Sequence, residues 1–152
     1  MREMLIQSRE NGWRHFFYGS TQKTLDMLRE KIEKEYDGAI IAGMISPPYR
    51  ELTIEEDVQF IEEINKSRPD FIWVGLGAPK QEIWMSAHQD KLNGLMIGVG
   101  AAFDYESGNL KRAPKWMQKC NLEWLYRFMQ EPRRLFKRYF VTNMKFMWLT
   151  RR

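Results

Sequence analysis

The sequence has a single cysteine, two histidines and no apolar run long enough to cross a bilayer. With only Cys120, an internal disulfide framework is excluded. Lying among Met and Leu, Cys120 reads as a small core residue. His15 and His88 are far apart in sequence and have no cysteine partner, so no metal-ligand cluster forms and no metal is expected. His15 adjoins an apolar strand and reads as structural. Residues 1–13 lack an apolar h-region, so they are not a secretory signal, and a cytoplasmic location is expected by default. Two phosphate-binding signatures are also missing. Gly75 and Gly77 are followed by Lys80, and Gly98 and Gly100 by Phe103, so G-x-G-x-x-G is absent, as is G-x-x-x-x-G-K-[ST]. So neither a dinucleotide-binding fold of the usual sort nor a P-loop NTPase is supported.

Acidic residues nearly vanish after position 110. Residues 111–152 hold 12 Lys/Arg against Glu123 and Glu131, whereas residues 1–110 hold 12 Lys/Arg against 18 Asp/Glu. An acidic body of net −6 therefore precedes a basic segment of net +10. Such a segment suits a negative partner, either nucleic acid or an anionic lipid surface. Its apolar residues Leu122, Leu125, Phe128, Leu135 and Tyr139 recur near a 3.6 period. The aromatics thus line a helix rather than an exposed sheet, and no nucleic-acid motif is present. The lipid surface is the expected partner, with no nucleic acid.

The body predicts alternating strands and helices. A short helix ends at Asn11-Gly12, and His15 to Tyr18 is a short buried strand. Ser20 or Thr21 caps a helix running to about Tyr36, with Leu25, Leu28 and Ile32 inward. Ala39 to Ala42 is the second strand, and Ser46-Pro47-Pro48-Tyr49 is irregular. Thr53 with Glu56 forms a capping box on a helix whose apolar face holds Val58, Ile61 and Ile64. Phe71 to Val74 and Leu95 to Val99 are the third and fourth strands, the former followed by a helix with Pro79 near its first turn. Gly100 to Asp104 reads as a glycine turn. Unalternated apolar strands joined by helices predict a doubly wound α/β fold with a mostly parallel sheet over residues 1–110. A basic helical appendage follows over 111–152, with one helix from Pro114 through about Gln130 and a second from Pro132 towards Asn143.

In open parallel sheets ligands bind at the carboxyl ends of the strands. Those ends carry Gly19-Ser20-Thr21, the turn from Gly43 to Pro48, the turn from Gly75 to Glu82, and the turn from Gly98 to Asp104. Glycine lets backbone approach a ligand, and a helix starting there offers N–H groups to a diphosphate. Gly19, Ser20, Thr21 and Gly77 are the candidate backbone contacts. Lys80 is suited to neutralise phosphate and Gln81 to bond a sugar hydroxyl or a diphosphate oxygen. Asp104 suits either ribose or sugar hydroxyls or a turn role. Glu82 favours a helix N-terminus by dipole alone.

Several segments in fixed order carry a family resemblance: Val74-Gly-Leu-Gly-Ala-Pro-Lys-Gln-Glu82, Gly98-Val-Gly-Ala-Ala-Phe-Asp104, Arg112-Ala-Pro-Lys-Trp-Met117, and Glu123-Trp-Leu-Tyr-Arg127 with Glu131-Pro-Arg-Arg134. Together with the Ser46-Pro-Pro-Tyr49 turn, they resemble the WecG/TagA/CpsF glycosyltransferases from about Gly12 to Asn143. The resemblance implies an inverting transfer of an N-acetylmannosamine-like sugar from UDP to a polyprenyl-diphosphate-linked acceptor. It implies a place in bacterial surface-polysaccharide or teichoic-acid synthesis, at the inner membrane face, with no metal and with a carboxylate as base. Gln81 matches the family's active-site glutamine. Arg127, Arg134 and Lys137 align with basic residues that meet the acceptor diphosphate, and Arg133 and Arg138 are grouped with them. Lys137 stands where Arg is frequent, keeping the charge but not the bidentate fork. Family members carry a further N-terminal segment holding the presumed catalytic Asp. The expectation is a C-terminal portion that binds donor weakly, catalyses poorly alone and self-associates through exposed apolar surface. The competing reading is a non-catalytic nucleotide- or sugar-binding module with a membrane-associating tail.

Overall fold

A computed structural model of the chain describes residues 1–130 together with Pro132, Leu135, Phe136, Met144, Met147 and Trp148. It divides into two compact units, Met1–Leu110 and Lys111–Arg152.

The first unit is a four-stranded, wholly parallel sheet with helices on both faces. Helix α1 (Arg2–Asn11) closes at Gly12, whose left-handed φ of 64° lets its N–H reach the Ser8 carbonyl. Strand β1 (Arg14–Gly19) leads to α2 (Gln22–Glu35), capped by the Thr21 side chain on the Thr24 N–H. Strand β2 (Ile40–Ile45) leads to α3 (Ile54–Lys66), which carries the complete Thr53–Glu56 capping box. Strand β3 (Phe71–Gly75), α4 (Lys80–His88), β4 (Leu95–Gly98) and α5 (Ala102–Glu106) complete the unit.

The strand order is β2-β1-β3-β4. After β1 the chain steps outward to β2, crosses back over β1 to β3, and then steps outward the other way. The direction of winding therefore reverses between β1 and β3. Residues alternate between two cores, as a pleated strand buried on both faces requires. Phe17 and Trp73 face α1, α2 and α5, joining Leu5, Leu25, Leu28, Ile32 and Phe103. Phe16, Tyr18, Ile72 and Val74 face the α3 side, with Ile64 and the partly buried Phe60 and Trp84. Full burial of each such side chain is worth about 1.5–3 kcal/mol.

Four expectations need correction. First, β2 extends to Ile45 instead of stopping at Ala42, with Gly43 inside it opposite Phe16. A Cβ at Gly43 would lie 2.4 Å from the Phe16 ring, so this glycine makes room for an aromatic and does not mark a turn. Second, the stretch read as a glycine turn up to Asp104 contains α5, because Phe103 is fully buried and draws a helical turn onto the sheet.

The other two corrections concern the basic unit. The helix expected from Pro114 to Gln130 is two helices, α6 (Lys115–Lys119) and α7 (Glu123–Gln130). Between them Asn121 adopts φ 57°, and the Leu122 N–H returns to the Met117 carbonyl. Asn tolerates this left-handed region better than most residues. Last, Cys120 is exposed, not core, because α6 ends at Lys119 and places it in the cap. Of the second helix expected from Pro132, only Pro132, Leu135 and Phe136 are described, all helical; the remainder lies outside the described residues.

Candidate functional site

The carboxyl ends of β1 and β3 meet where the winding reverses, the position at which open α/β sheets form a crevice. Gly19 has φ 125°, and a Cβ there would lie 2.6 Å from the Gly75 carbonyl carbon. A Cβ on Gly75 would in turn lie 2.7 Å from the Phe103 ring. The two strand ends touch through bare backbone, so both positions exclude any side chain.

Ser20 follows with φ 60°, in the left-handed region. Its N–H donates to the Gly75 carbonyl at 3.2 Å, and its own carbonyl accepts from the Ser46 hydroxyl at 2.8 Å. One residue thus ties the ends of β1, β3 and β2 together. A non-glycine residue in this region costs roughly 1 kcal/mol or more, so these bonds must hold it there. Thr21 is the exposed N-cap of α2, whose first-turn N–H groups open at this same edge.

Helix α4 starts just past the β3 turn. The Gln81 backbone N–H donates to the Gly77 carbonyl at 3.0 Å, and Gly77 adopts φ 78°. The Gln81 side chain is only 8% exposed. Its Oε1 accepts from the Gly100 N–H at 3.0 Å and its Nε2 donates to Glu82 Oε1 at 2.9 Å. Lys80 is exposed, its ammonium 4.8 Å from the centre of the Tyr49 ring.

Asp104 and Glu106 are both engaged within the scaffold. Asp104 lies in α5 and its Oδ1 accepts from Asn109 Nδ2 at 3.3 Å. Glu106 is buried, accepts from the Tyr36 hydroxyl and has Lys31 Nζ at 3.7 Å. Burial first, then Glu106, pushes the Tyr36 phenol up to about 12, so it stays a donor. These contacts pin α5 on the α2 side of the sheet.

The structure therefore brings Gly19, Ser20, Thr21, Gly77, Lys80 and Gln81 to one edge, and Asp104 to the helix that follows the β4 turn. Sequence reasoning passed over Ser46 as a ligand-edge anchor and treated Tyr49 only as part of a turn. The Tyr49 ring is 96% exposed, yet its loop is fixed at both ends. Ser46 is tied to Ser20, and Arg50 makes two bonds of 2.7 Å to the Glu56 carboxylate. The Arg50 bonds hold Glu56 down at about 2. An aromatic directly after tandem prolines was the available signal: the prolines stiffen a loop that presents an open ring.

In the basic unit, Arg127 lies partly buried in α7. Arg133, Arg134, Lys137 and Arg138 lie outside the described residues. Trp116 and Trp124 are 61% and 56% exposed. Among the described residues no helix is long and apolar enough to cross a membrane.

A doubly wound parallel sheet whose two central strands end in paired glycines at the switch point defines a class, the open α/β domains. Within it, the chain belongs to the Glycosyl transferase WecG/TagA/CpsF family, whose pattern matches residues 1–152. It is 34% identical over 132 residues to an N-acetylglucosaminyldiphosphoundecaprenol N-acetyl-beta-D-mannosaminyltransferase of Bacillus subtilis, covering 86% of this chain and 50% of the relative. Proteins of the same name from Bacillus spizizenii and Staphylococcus aureus are 32% and 31% identical. These matches cover 80% and 89% of this chain and 46% and 52% of the relatives. The chain spans about half the length of the curated relatives it matches.

Proposed function

We propose that this chain provides the donor-binding α/β domain of an inverting glycosyltransferase. The enzyme moves an N-acetylmannosamine-like sugar from UDP to a polyprenyl-diphosphate-linked acceptor in bacterial cell-surface polysaccharide or teichoic acid synthesis. The observation that carries the reading is the Gly19–Gly75 contact at the switch point, flanked by the openings of α2 and α4. The names of the relatives supply the sugar and the acceptor class.

In this reading the diphosphate lies on the bare backbone between β1 and β3, against the N–H groups that open α2. The Tyr49 ring offers a flat apolar face to the uracil or the sugar. Lys80, beside it, supplies a cation to the departing diphosphate. In the reaction the acceptor hydroxyl attacks the anomeric carbon from the face opposite UDP. The bond from that carbon to the diphosphate oxygen breaks, UDP carries away the electron pair, and the hydroxyl proton goes to a carboxylate base. Asp104 is bonded to Asn109 and Glu106 to Tyr36 and Lys31, so neither is assigned that role. No metal or other cofactor is proposed.

The basic unit is proposed to meet anionic groups at the inner face of the plasma membrane, either lipid headgroups or the diphosphate of the acceptor. Arg127, Arg133, Arg134, Lys137 and Arg138 supply the charge. The exposed Trp116 and Trp124 suit the interfacial layer. Liposome sedimentation checks this: binding should need anionic lipid and weaken with salt.

Calorimetric titration with UDP tests donor binding, and radiolabelled transfer from UDP-N-acetylmannosamine to a diphosphate-linked acceptor tests the reaction. Transfer is measured with this chain alone and with the N-terminal segment of a relative supplied; UDP binding with transfer in neither case would favour the competing reading of a non-catalytic module. Neither binding nor transfer would overturn the proposal.

A further inference from the structure

Gln81 joins two glycine turns. Its backbone N–H holds the Gly77 carbonyl, and its side-chain oxygen holds the Gly100 N–H, each at 3.0 Å. The amide has one orientation only. Turned over, its NH2 would face the Gly100 N–H and its oxygen would face the Glu82 carboxylate, two donors and two acceptors in opposition. Gly98 makes room for the amide: a Cβ there would lie 3.0 Å from Gln81 Nε2 and 3.2 Å from the Met85 sulfur. Gly100, at φ 54°, precedes Ala101, the N-cap of α5.

We propose that Gln81 is a strap that sets the spacing of the β3 and β4 turns, and that Glu82 is the positioning residue that fixes its amide. Gln81 thus acts through the Gly100 turn and does not touch the reacting atoms. Glu82 does more than favour a helix N-terminus: its carboxylate selects which end of the Gln81 amide meets Gly100. The inference deepens the donor-binding reading above and rests on it for the ligand, but its structural half stands apart from any ligand.

The test exploits the polarity of the network. In Gln81→Glu the new carboxylate still accepts from the Gly100 N–H but faces the Glu82 carboxylate, so the strap is repelled. In the double variant Gln81→Glu with Glu82→Gln the direction reverses. The new amide at 82 donates to the new carboxylate at 81, which still holds Gly100. Two readouts are taken on the full chain: hydrogen exchange of the Gly100 amide, and affinity for UDP. The slowest amides of β1 and β3 report whether each variant is folded.

The expected result is about tenfold faster exchange at Gly100 and about tenfold weaker UDP binding in Gln81→Glu, the size of one lost hydrogen bond. Both should return to within about twofold in the double variant. If Gly100 protection returns but UDP affinity does not, the ligand needs the Gln81 side-chain amide directly, and the claim that Gln81 acts only through the Gly100 turn is overturned. If protection itself does not return, the Glu82 assignment falls. Should the unaltered chain bind no UDP, the donor reading fails, and Gly100 exchange alone decides the strap.

Discussion

The two ends of the sheet are built from opposite materials. At the amino end, side chains stitch the elements together. The Arg14 guanidinium donates to the Ser67 and Arg68 carbonyls that close α3, at 3.0–3.2 Å, while the Asp70 carboxylate accepts from the Arg14 N–H at 2.7 Å. Asn65 bonds both the Lys91 carbonyl and the Asn93 N–H at 2.8 Å. Near this end lies a buried polar chain. Trp73 Nε1 donates to His15 Nδ1 at 3.0 Å, so His15 Nε2 carries the proton and faces the Ser8 hydroxyl, which donates to the Met4 carbonyl. At the carboxyl end, Gly19 backbone touches Gly75 backbone with no side chain between them, and Ser46 and Gln81 tie the flanking turns. Polar side chains join the elements at the amino end, and glycine leaves the backbone open at the carboxyl end, where the donor site is proposed.

The largest expected effect comes from putting a side chain into the carboxyl end. Gly19→Ala forces a Cβ to within 2.6 Å of the Gly75 backbone at φ 125°. Unfolding free energy should fall by about 2–4 kcal/mol, read by chemical denaturation, and UDP binding should be lost. A neutral outcome would mean that the two ends do not differ as described.

Next is the pH dependence of the stitched end. Burial holds the His15 ring down at about 4, below its ordinary value of 6.5. The unfolded chain therefore takes up this proton first as pH falls. The stabilisation by neutral His15 is complete above pH 6.5 and is lost as pH drops towards 4, by up to about 3 kcal/mol. Denaturant midpoints measured across that window should shift accordingly. A His15→Gln variant, which has no titrating ring, should show a flatter profile.

Arg14→Ala should cost about 1 kcal/mol in thermal denaturation, because the bonds it removes are exposed. UDP affinity should be unchanged. Tyr49→Ala should do the reverse, changing stability by less than about 0.5 kcal/mol while weakening UDP binding several-fold. Together the pair would separate the two ends within one assay series.

Much of this was legible in the chain. Thr53 with Glu56, Thr21 before an amphipathic run and Gly12 after one are local signals, and each forms the cap its chemistry predicts. The parallel sheet followed from continuous apolar strands. What escaped reading was set by contacts distant in sequence. Gly43 reads as a turn until Phe16 is placed opposite it, and α5 is hidden until Phe103 has a core to enter. Asn121 breaks a helix that periodicity alone would continue. At the site, the glycine turns and Lys80-Gln81 were visible as types and spacings. The Ser46–Ser20 bond and the Gln81–Gly100 bond were not, because each joins turns that meet only after the sheet assembles.

The most direct measurement is UDP titration of the isotope-labelled chain followed by amide NMR. Shifts should concentrate at Gly19, Ser20, Gly75, Gly77 and Gly100, with Arg14, Asp70 and Asn93 unmoved. Shifts confined to the amino end or to residues 111–130, or no shifts at all, would contradict a donor site at the carboxyl end.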